Sequence, residues 1–213
     1  MYVKVCGITH LDDAWSAIAA GVDALGFNFV PESKRFIDRR SAAEIVRQVR
    51  GEAICVAVVA NLTVGECRAL CDELGIDRIQ LHGDESPEQV QALGPRAFKA
   101  IRVASASDVA LAEHFGGDRL LVDAKVGAQL GGTGHCIDWP LVAPLAATRP
   151  LILAGGLTPE NVEAAVRIVQ PWAVDTASGV ERDGDPRRKD ADRLRRFVQA
   201  ARRAAAGTHS LAF

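Results

Sequence analysis

The chain has 213 residues, 48% of them hydrophobic, which is enough to bury the core of one domain or at most two small ones. Its formal net charge is −2, and its lysines and arginines are spread along the whole length, which argues against a nucleic-acid-binding or membrane-surface protein. No apolar run approaches the length of a membrane span, and the first residues lack the basic-then-apolar order of a signal peptide.

The cysteines indicate a reducing environment. There are five of them, an odd number, and they are scattered along the chain, so we expect reduced thiols in a cytoplasmic protein. Cys67 and Cys71 lie one helical turn apart, but no His or further Cys nearby completes a metal site. We therefore expect both to face the core from a helix.

Short apolar runs rich in Val, Ile and Leu alternate with helix-patterned segments along the whole chain. The predicted strands are 3–8, 24–29, 54–60, 78–82, 98–103, 119–124, 150–155 and 173–178. The predicted helices lie near 10–20, 41–50, 64–74, 86–93, 105–115, 138–146, 159–169 and 190–205.

Eight strand–helix units without a change of composition between them are typical of a closed (β/α)8 TIM barrel, a single-domain α/β fold. We predict this barrel over residues 1–206, followed by a frayed tail over 207–213. The alternative is an open doubly wound sheet. Such a sheet usually has fewer strands and centres on one Gly-rich turn, whereas here glycines recur at many strand ends.

Three hydroxyl residues predict helix starts. Ser41 followed by Glu44 has the spacing of a capping box. Ser86 and Thr158 each precede a proline, so each is predicted to cap a helix whose first residue is that proline.

In a barrel of this kind the functional residues lie at the C-terminal ends of the strands. The first strand ends in Cys6 and Gly7, and Lys4 lies on the same face as Cys6 because side chains alternate along a strand. A neighbouring cation lowers the pKa of a thiol, so Cys6 is a candidate catalytic base. The alternative is a buried structural cysteine.

Three further strand ends carry candidate polar residues. Arg35, in the loop after the second strand, can pair with a carboxylate or a phosphate, or it is a solvated loop charge. His82, after the fourth strand, is either a pocket-lining group or a structural histidine. Asp123 ends the sixth strand and is either a turn cap or a general acid. The Gly-rich segment that follows, 129–134, is a candidate lid.

The loops after the seventh and eighth strands predict a phosphate site. Gly155 and Gly156 precede a predicted helix start, and Ser178 and Gly179 follow the last strand. Backbone N–H groups at helix starts bind phosphate, and glycine allows it to approach closely. Ordinary turn glycines are the alternative, but two adjacent loops of this type favour phosphate binding.

Taken in order, these stretches resemble the phosphoribosylanthranilate isomerase family of tryptophan biosynthesis, and the resemblance covers nearly the whole chain. Each stretch alone is modest evidence, but together and in register they are specific. The matching stretches are 4–9, 26–29, 33–35, 80–85, 131–134 with 138–139, 153–157 with 159–162, and 175–181.

The resemblance implies an Amadori rearrangement that needs no metal and no organic cofactor. It implies that Cys6 is the general base, that Asp123 is the general acid, and that Arg35 holds the anthranilate carboxylate. We add His82 and Asp175 as substrate-binding residues, and the two glycine loops form the phosphate cup. The expected partner is a small phosphosugar bound by a cytoplasmic monomer or homodimer.

Two departures from the family pattern are visible. The third strand lacks the aromatic residue that the family more often has, and the charged segment 182–190 is longer than the family's usual short Pro-Gly-Lys-Asp turn. Two other functions remain as alternatives. One is a histidine-pathway or dual-substrate phosphosugar isomerase, which usually has a carboxylate in place of Cys6. The other is a barrel that binds phosphosugars without turnover.

Overall fold

Residues 1–123 and 139–208 are described by the structure, a computed structural model of the chain. Every predicted strand and every predicted helix is present, with ends displaced by no more than a few residues. The strands of the barrel are Tyr2–Cys6 (β1), Ala24–Asn28 (β2), Ile54–Val59 (β3), Arg78–Leu81 (β4), Ala97–Arg102 (β5), Leu120–Asp123 (β6), Leu151–Ala154 (β7) and Ala173–Thr176 (β8). The helices are Leu11–Ala19 (α1), Arg39–Val49 (α2), Val64–Leu74 (α3), Pro87–Leu93 (α4), Ala106–Glu113 (α5), Trp139–Thr148 (α6), Val162–Val169 (α7) and Ala191–Thr208 (α8).

The eight strands form one closed parallel barrel, which confirms the predicted fold class. Each strand pairs with its neighbours in chain order, and β8 closes the barrel by pairing with β1, where Lys4 lies opposite Asp175. Parallel neighbours bring all the C-terminal strand ends to one rim, so residues far apart in sequence meet there.

The core has two layers, one on each side of the barrel wall. Inside the barrel a small cluster packs around Phe98, Leu121 and Ile152. A larger cluster fills the space between the strands and the surrounding helices. Cys67 and Cys71 of α3 are buried in this outer layer, which confirms that they face the core.

One of the three predicted helix starts is confirmed. Ser86 caps α4 and Pro87 is its first residue, with Gln89 completing a capping box. The capping box predicted at Ser41 is wrong, because Asp38 caps α2 and accepts hydrogen bonds from both the backbone N–H and the hydroxyl of Ser41. Asp38 takes the N-cap position because its carboxylate, three residues before Ser41, is a charged acceptor for the unpaired N–H groups of the first helical turn.

The start predicted at Thr158 is also wrong. Helix α7 begins at Val162, after a turn that contains Pro159. The Asn161 side chain holds this turn, since its Oδ1 accepts from the Thr158 N–H at 2.8 Å and its amide donates to the Gly156 carbonyl at 2.9 Å. The glycines of the predicted phosphate site therefore lie a full turn before the helix.

An antiparallel hairpin that the sequence pattern does not predict follows the barrel. Its strands are Glu181–Arg182 (β9) and Asp185–Lys189 (β10), and it takes up most of the charged segment 182–190. After it, α8 continues to Thr208, and residues 209–213 of the predicted tail lie outside the described residues. Among the helices of residues 1–123 and 139–208, none has the length and apolarity needed to cross a membrane.

Candidate active site

The C-terminal rim of the barrel surrounds a pocket of about 320 Å³. Eight of the nine predicted site residues line it, and the ninth, Gly179, lies in the 3₁₀ turn directly after Ser178. The Gly-rich segment predicted to be a lid lies outside the described residues. The eight lining residues are Cys6, Arg35, His82, Asp123, Gly155, Gly156, Asp175 and Ser178.

Cys6 lies beside a buried ion pair. The Lys4 ammonium donates to Oδ2 of Asp175 at 2.8 Å, and the two residues are only 2% and 5% exposed. Burial alone would lower the pKa of Lys4, but Asp175 and Cys6 together raise it above its ordinary value, so Lys4 is a stable cation next to the thiol. Lys4 lies beneath Cys6 on the same face of β1, as the alternation of side chains along a strand predicts.

The effect of this cation on Cys6 differs from the prediction. Burial raises the pKa of the Cys6 thiol above its ordinary value, and the opposing influence of Lys4 only reduces the rise. The expectation of a lowered thiol pKa is therefore corrected. Desolvation disfavours the thiolate more than one neighbouring ammonium, itself paired with Asp175, favours it.

Gly26 of β2 makes room for this arrangement. A Cβ atom on Gly26 would lie 2.9 Å from the Cys6 sulfur and 3.1 Å from the Lys4 ammonium nitrogen. A side chain at this position has to displace one of these two groups or the strand itself.

We therefore expect Gly26→Ala to lower kcat/KM by about tenfold or more, since a displacement of about 1 Å near reacting groups has effects of this size. Overpacking should also destabilise the fold by about 1–3 kcal/mol. Steady-state kinetics and a thermal melt check both effects. The control is Gly65→Ala in α3, where an added Cβ meets no atom within 4 Å and activity should not change. Unchanged kinetics in Gly26→Ala would show that the thiol and the ammonium need no fixed position.

Arg35 reaches the pocket but is not free. Its Nε and Nη2 atoms donate to the two carboxylate oxygens of Glu181 at 2.5 and 3.2 Å. The Arg35 side chain packs over Gly7, where φ is +78° and a Cβ would clash with it. The guanidinium is thus held in place by a carboxylate of the chain itself, and its second edge remains for another ligand.

His82 and Asp123 lie next to each other across the pocket. His82 Nε2 is 3.8 Å from Oδ2 of Asp123, and its Nδ1 is 3.1 Å from the Gln80 amide nitrogen. Burial, followed by the charges of Arg102, Lys4 and Lys99, lowers the pKa of His82 to about 4. The imidazole is therefore neutral near pH 7 and acts there as a hydrogen-bonding group, not as a cation.

The loops after β7 and β8 approach each other closely. Gly155 and Gly156 have φ of 96° and 65°, which only glycine adopts easily, and an added Cβ on Gly156 would meet nothing within 4 Å. Gly179 is packed against the Leu157 carbonyl, which also accepts from the Thr176 hydroxyl at 2.8 Å. These contacts fix an open, glycine-lined concavity at the rim.

Sequence reasoning missed two residues that the structure adds to the site. Glu181 holds Arg35, and Lys189 extends from the hairpin towards Glu181 and influences Cys6 electrostatically. A signal was present, since Glu181 is the last residue of the family-like stretch 175–181 and Lys189 is followed by an aspartate as in the family's shorter turn. Within residues 1–123 and 139–208, no cluster of three His, Cys, Asp or Glu side chains is arranged to hold a metal ion.

Comparison with known proteins identifies the family. The family model described as N-(5'-phosphoribosyl)anthranilate isomerase matches residues 3–200. The chain belongs to this isomerase family. A phosphoribosylanthranilate isomerase from Magnetococcus marinus is 47% identical over 208 residues, which are 96% of this chain and 97% of the relative. The chain is accordingly an isomerase of tryptophan biosynthesis, as the sequence resemblance predicts.

Solved structures of phosphoribosylanthranilate isomerases support the fold. The enzyme from Thermotoga maritima has a TM-score of 0.85 at 35% identity, with 95% of this chain and 98% of that chain covered. Monomers generated from the dimeric Thermotoga maritima enzyme give a TM-score of 0.81 at 32% identity, covering 95% of this chain and 98% of that one. A phosphoribosylanthranilate isomerase in complex with reduced 1-(o-carboxyphenylamino)-1-deoxyribulose 5-phosphate gives 0.82 at 33% identity, again covering 95% and 98%.

Proposed function

We propose that the chain rearranges N-(5'-phosphoribosyl)anthranilate to 1-(o-carboxyphenylamino)-1-deoxyribulose 5-phosphate, with Cys6 as general base and Asp123 as general acid. The observation that supports this most directly is that the thiol of β1 and the carboxyl group of β6 line one pocket together with the glycine loops. An aldose-to-ketose rearrangement requires an acid at one end of the reacting bond system and a base at the other.

The reaction begins with two proton transfers and ends with a tautomerisation. Asp123 gives a proton to the ribose ring oxygen while the bond from that oxygen to C1' breaks, and the nitrogen lone pair forms the iminium. The Cys6 thiolate then removes the proton from C2', and the electron pair of the broken C2'–H bond forms the C1'=C2' double bond of the enolamine. Tautomerisation of the enolamine gives the ketone, so that the product is an isomer of the substrate and no redox partner is consumed.

The remaining residues fix the substrate relative to these two groups. The free edge of the Arg35 guanidinium binds the anthranilate carboxylate, and the concavity at Gly155, Gly156, Ser178 and Gly179 holds the phosphate. Anchors at both ends of the substrate hold C1' and C2' between the acid and the base, and such orientation is a large part of catalytic power.

His82 and Asp175 bind the sugar in this proposal. Oδ1 of Asp175 is buried, and no donor among the described residues reaches it, so a ribose hydroxyl can donate to it. His82, neutral near pH 7, can donate or accept at Nε2, the ring nitrogen on the side of Asp123.

Because the pKa of the Cys6 thiol is raised, its thiolate is a strong base, but only a small fraction of Cys6 is in the thiolate form near neutral pH. We expect the rate of Cys6 alkylation by iodoacetamide to increase with pH, with a midpoint above the ordinary thiol value of about 8.5. In Lys4→Met the midpoint should move higher still, by about 1 unit, because an opposite charge at this distance has effects of this order. Lys4 lowers the pKa of Cys6 by more than its partner Asp175 raises it, so removing the Lys4 charge should raise the pKa of Cys6.

Mass spectrometry of the tryptic peptide that contains Cys6, which begins after Lys4 in the wild type and at Met1 in Lys4→Met, locates the adduct on Cys6. Lys34→Met, at an exposed lysine of the Arg35 loop, is the matched control and should leave the midpoint unchanged. A wild-type midpoint at or below about 8.5 would contradict the raised pKa.

The function itself is tested with freshly generated phosphoribosylanthranilate, whose anthranilate-type fluorescence disappears on turnover. We expect the wild-type protein to consume it. Turnover of the histidine-pathway substrate alone would favour the first alternative function. Binding of phosphosugars without turnover of either substrate would favour the non-catalytic barrel.

A further inference from the structure

Three charged side chains form a continuous chain beside the pocket. Arg35 donates through two nitrogens to Glu181, and the Lys189 ammonium lies 3.3 Å from Oε1 of the same carboxylate. Lys189 also donates to the Ala177 carbonyl at 3.1 Å, in the loop after β8. We call Lys189, Glu181 and Arg35 the charge chain.

The burial of Lys189 calls for an explanation. Lys189 is only 1% exposed and Glu181 8% exposed. Burial lowers the pKa of Lys189, and Glu181 and Cys6 oppose this. Removing an ammonium from water costs several kcal/mol, and a buried ion pair is on balance no better for stability than apolar side chains of the same volume. Apolar side chains in place of Lys189 and Glu181 together would fill this space at no greater cost, which suggests a role for these charges beyond stability.

The hairpin holds Lys189 at a fixed place. The Lys189 backbone N–H and the Arg188 guanidinium both donate to the buried Asp13 of α1, each at 3.0 Å from Oδ2. The Thr9 hydroxyl donates to the Arg187 carbonyl at 2.5 Å, which fastens the hairpin to the loop after β1. The Lys189 ammonium that contacts Glu181 therefore belongs to a segment held in place by several hydrogen bonds, and not to a free loop.

The charges of the three residues add up to a site for an anion. Arg35 and Glu181 alone are neutral as a pair, and Lys189 adds one positive charge to them. Glu181 occupies the Nε edge of the guanidinium, which leaves the N–H groups of Nη1 and one of Nη2 for a second carboxylate. A planar guanidinium that is fixed at one edge offers a preorganised fork at the other.

We propose that Lys189 is a positioning residue that acts through Glu181. It holds the Arg35 guanidinium in place and makes the net charge around it positive, so that the pocket selects substrates whose aromatic ring carries a carboxylate. The proposal rests on the proposed function, since it assigns the partner of Arg35 to the substrate. It goes further by making substrate selection depend on a residue of the hairpin that follows the barrel.

The test compares two ligands by calorimetry. One is reduced 1-(o-carboxyphenylamino)-1-deoxyribulose 5-phosphate, and the other is the same compound without the carboxylate. The wild-type protein should bind the carboxylated compound about tenfold or more tightly, as charge-assisted bidentate contacts allow. In Lys189→Met this preference should fall by about tenfold, while the affinity for the carboxyl-free compound changes by less than about threefold.

A merely structural role would lower both affinities together or lower only the melting temperature, and either result would overturn the proposal. Lys189→Gln removes the charge but keeps a side chain that can donate to Glu181, so it should also reduce the preference, and it decides the question if Lys189→Met does not fold. Lys34→Met is the matched control.

The outcome separates this proposal from the proposed function. If the wild-type protein turns over phosphoribosylanthranilate and the variants keep the full carboxylate preference, only the role of Lys189 is wrong. If the wild-type protein neither binds the carboxylated compound nor shows turnover, the proposed function fails and the role of Lys189 fails with it.

Discussion

Replacing Cys6 by alanine should lower kcat for phosphoribosylanthranilate by about 10³-fold or more, since a positioned general base typically contributes about 10²–10⁴-fold. The thiol is the group of β1 that faces the pocket, and its high pKa makes the thiolate a strong base towards a carbon-bound proton. The loss is measured as the rate of fluorescence decay at saturating substrate. Affinity for the reduced product analogue should change by no more than about threefold, because Cys6 is not proposed to anchor either end of the substrate.

Two further cysteine variants sharpen this result. Cys6→Ser keeps the shape of the side chain but replaces the thiol by a hydroxyl that hardly ionises, so it should be nearly as inactive as Cys6→Ala. Cys71→Ala removes a buried cysteine of α3 and should lower stability while kcat stays within about twofold. Full activity in Cys6→Ser would show that Cys6 is not the base.

The fold could be predicted because its determinants are local. Runs of β-branched residues at strand spacing and amphipathic helix patterns repeat along the chain, and each strand–helix unit can be predicted from its own residues alone. Helix starts are harder to predict because two cap residues can compete for the same N–H groups, as Asp38 and Ser41 do. The hairpin at 181–189 was missed because a short strand of charged residues such as Arg187 and Arg188 carries no period-two apolar signal.

The site could be predicted only as positions on a rim. That Cys6 and Asp123 meet in one pocket follows from barrel closure once the strand ends are known. Which groups pair is a different matter. The ion pair of Lys4 with Asp175 joins residues 171 positions apart, and that of Arg35 with Glu181 spans 146 positions. Such partners depend on side-chain direction and register, which no local pattern encodes.

The sign of the thiol pKa shift was not predictable for a related reason. The sequence places Lys4 next to Cys6, which argues for a lower pKa, but it does not show how far Cys6 is removed from water or that Lys4 is itself paired. Burial turns out to be the larger influence. A pKa is a balance of desolvation and several charges, so one neighbour read from the sequence cannot fix its direction.

Replacing Asp123 by asparagine should lower kcat by about 10²–10⁴-fold, because the amide keeps the shape of the carboxyl group but has no proton to give to the ring oxygen. His82 does not take over this role, since it is 3.8 Å from Asp123 and its pKa of about 4 leaves it unprotonated near pH 7. The control is Asp118→Asn, at an exposed aspartate before β6 on the opposite side of the barrel from the pocket, which should leave the kinetics unchanged.

Deuterium at C2' of the substrate separates the roles of the two residues. In Cys6→Ser the removal of this hydrogen limits the rate, so kcat/KM should show a large isotope effect. In Asp123→Asn the ring opening that precedes it becomes limiting, so the isotope effect should fall towards one. The reverse pattern would mean that the acid and the base are exchanged, and equal isotope effects in both variants would mean that the two residues act in the same step.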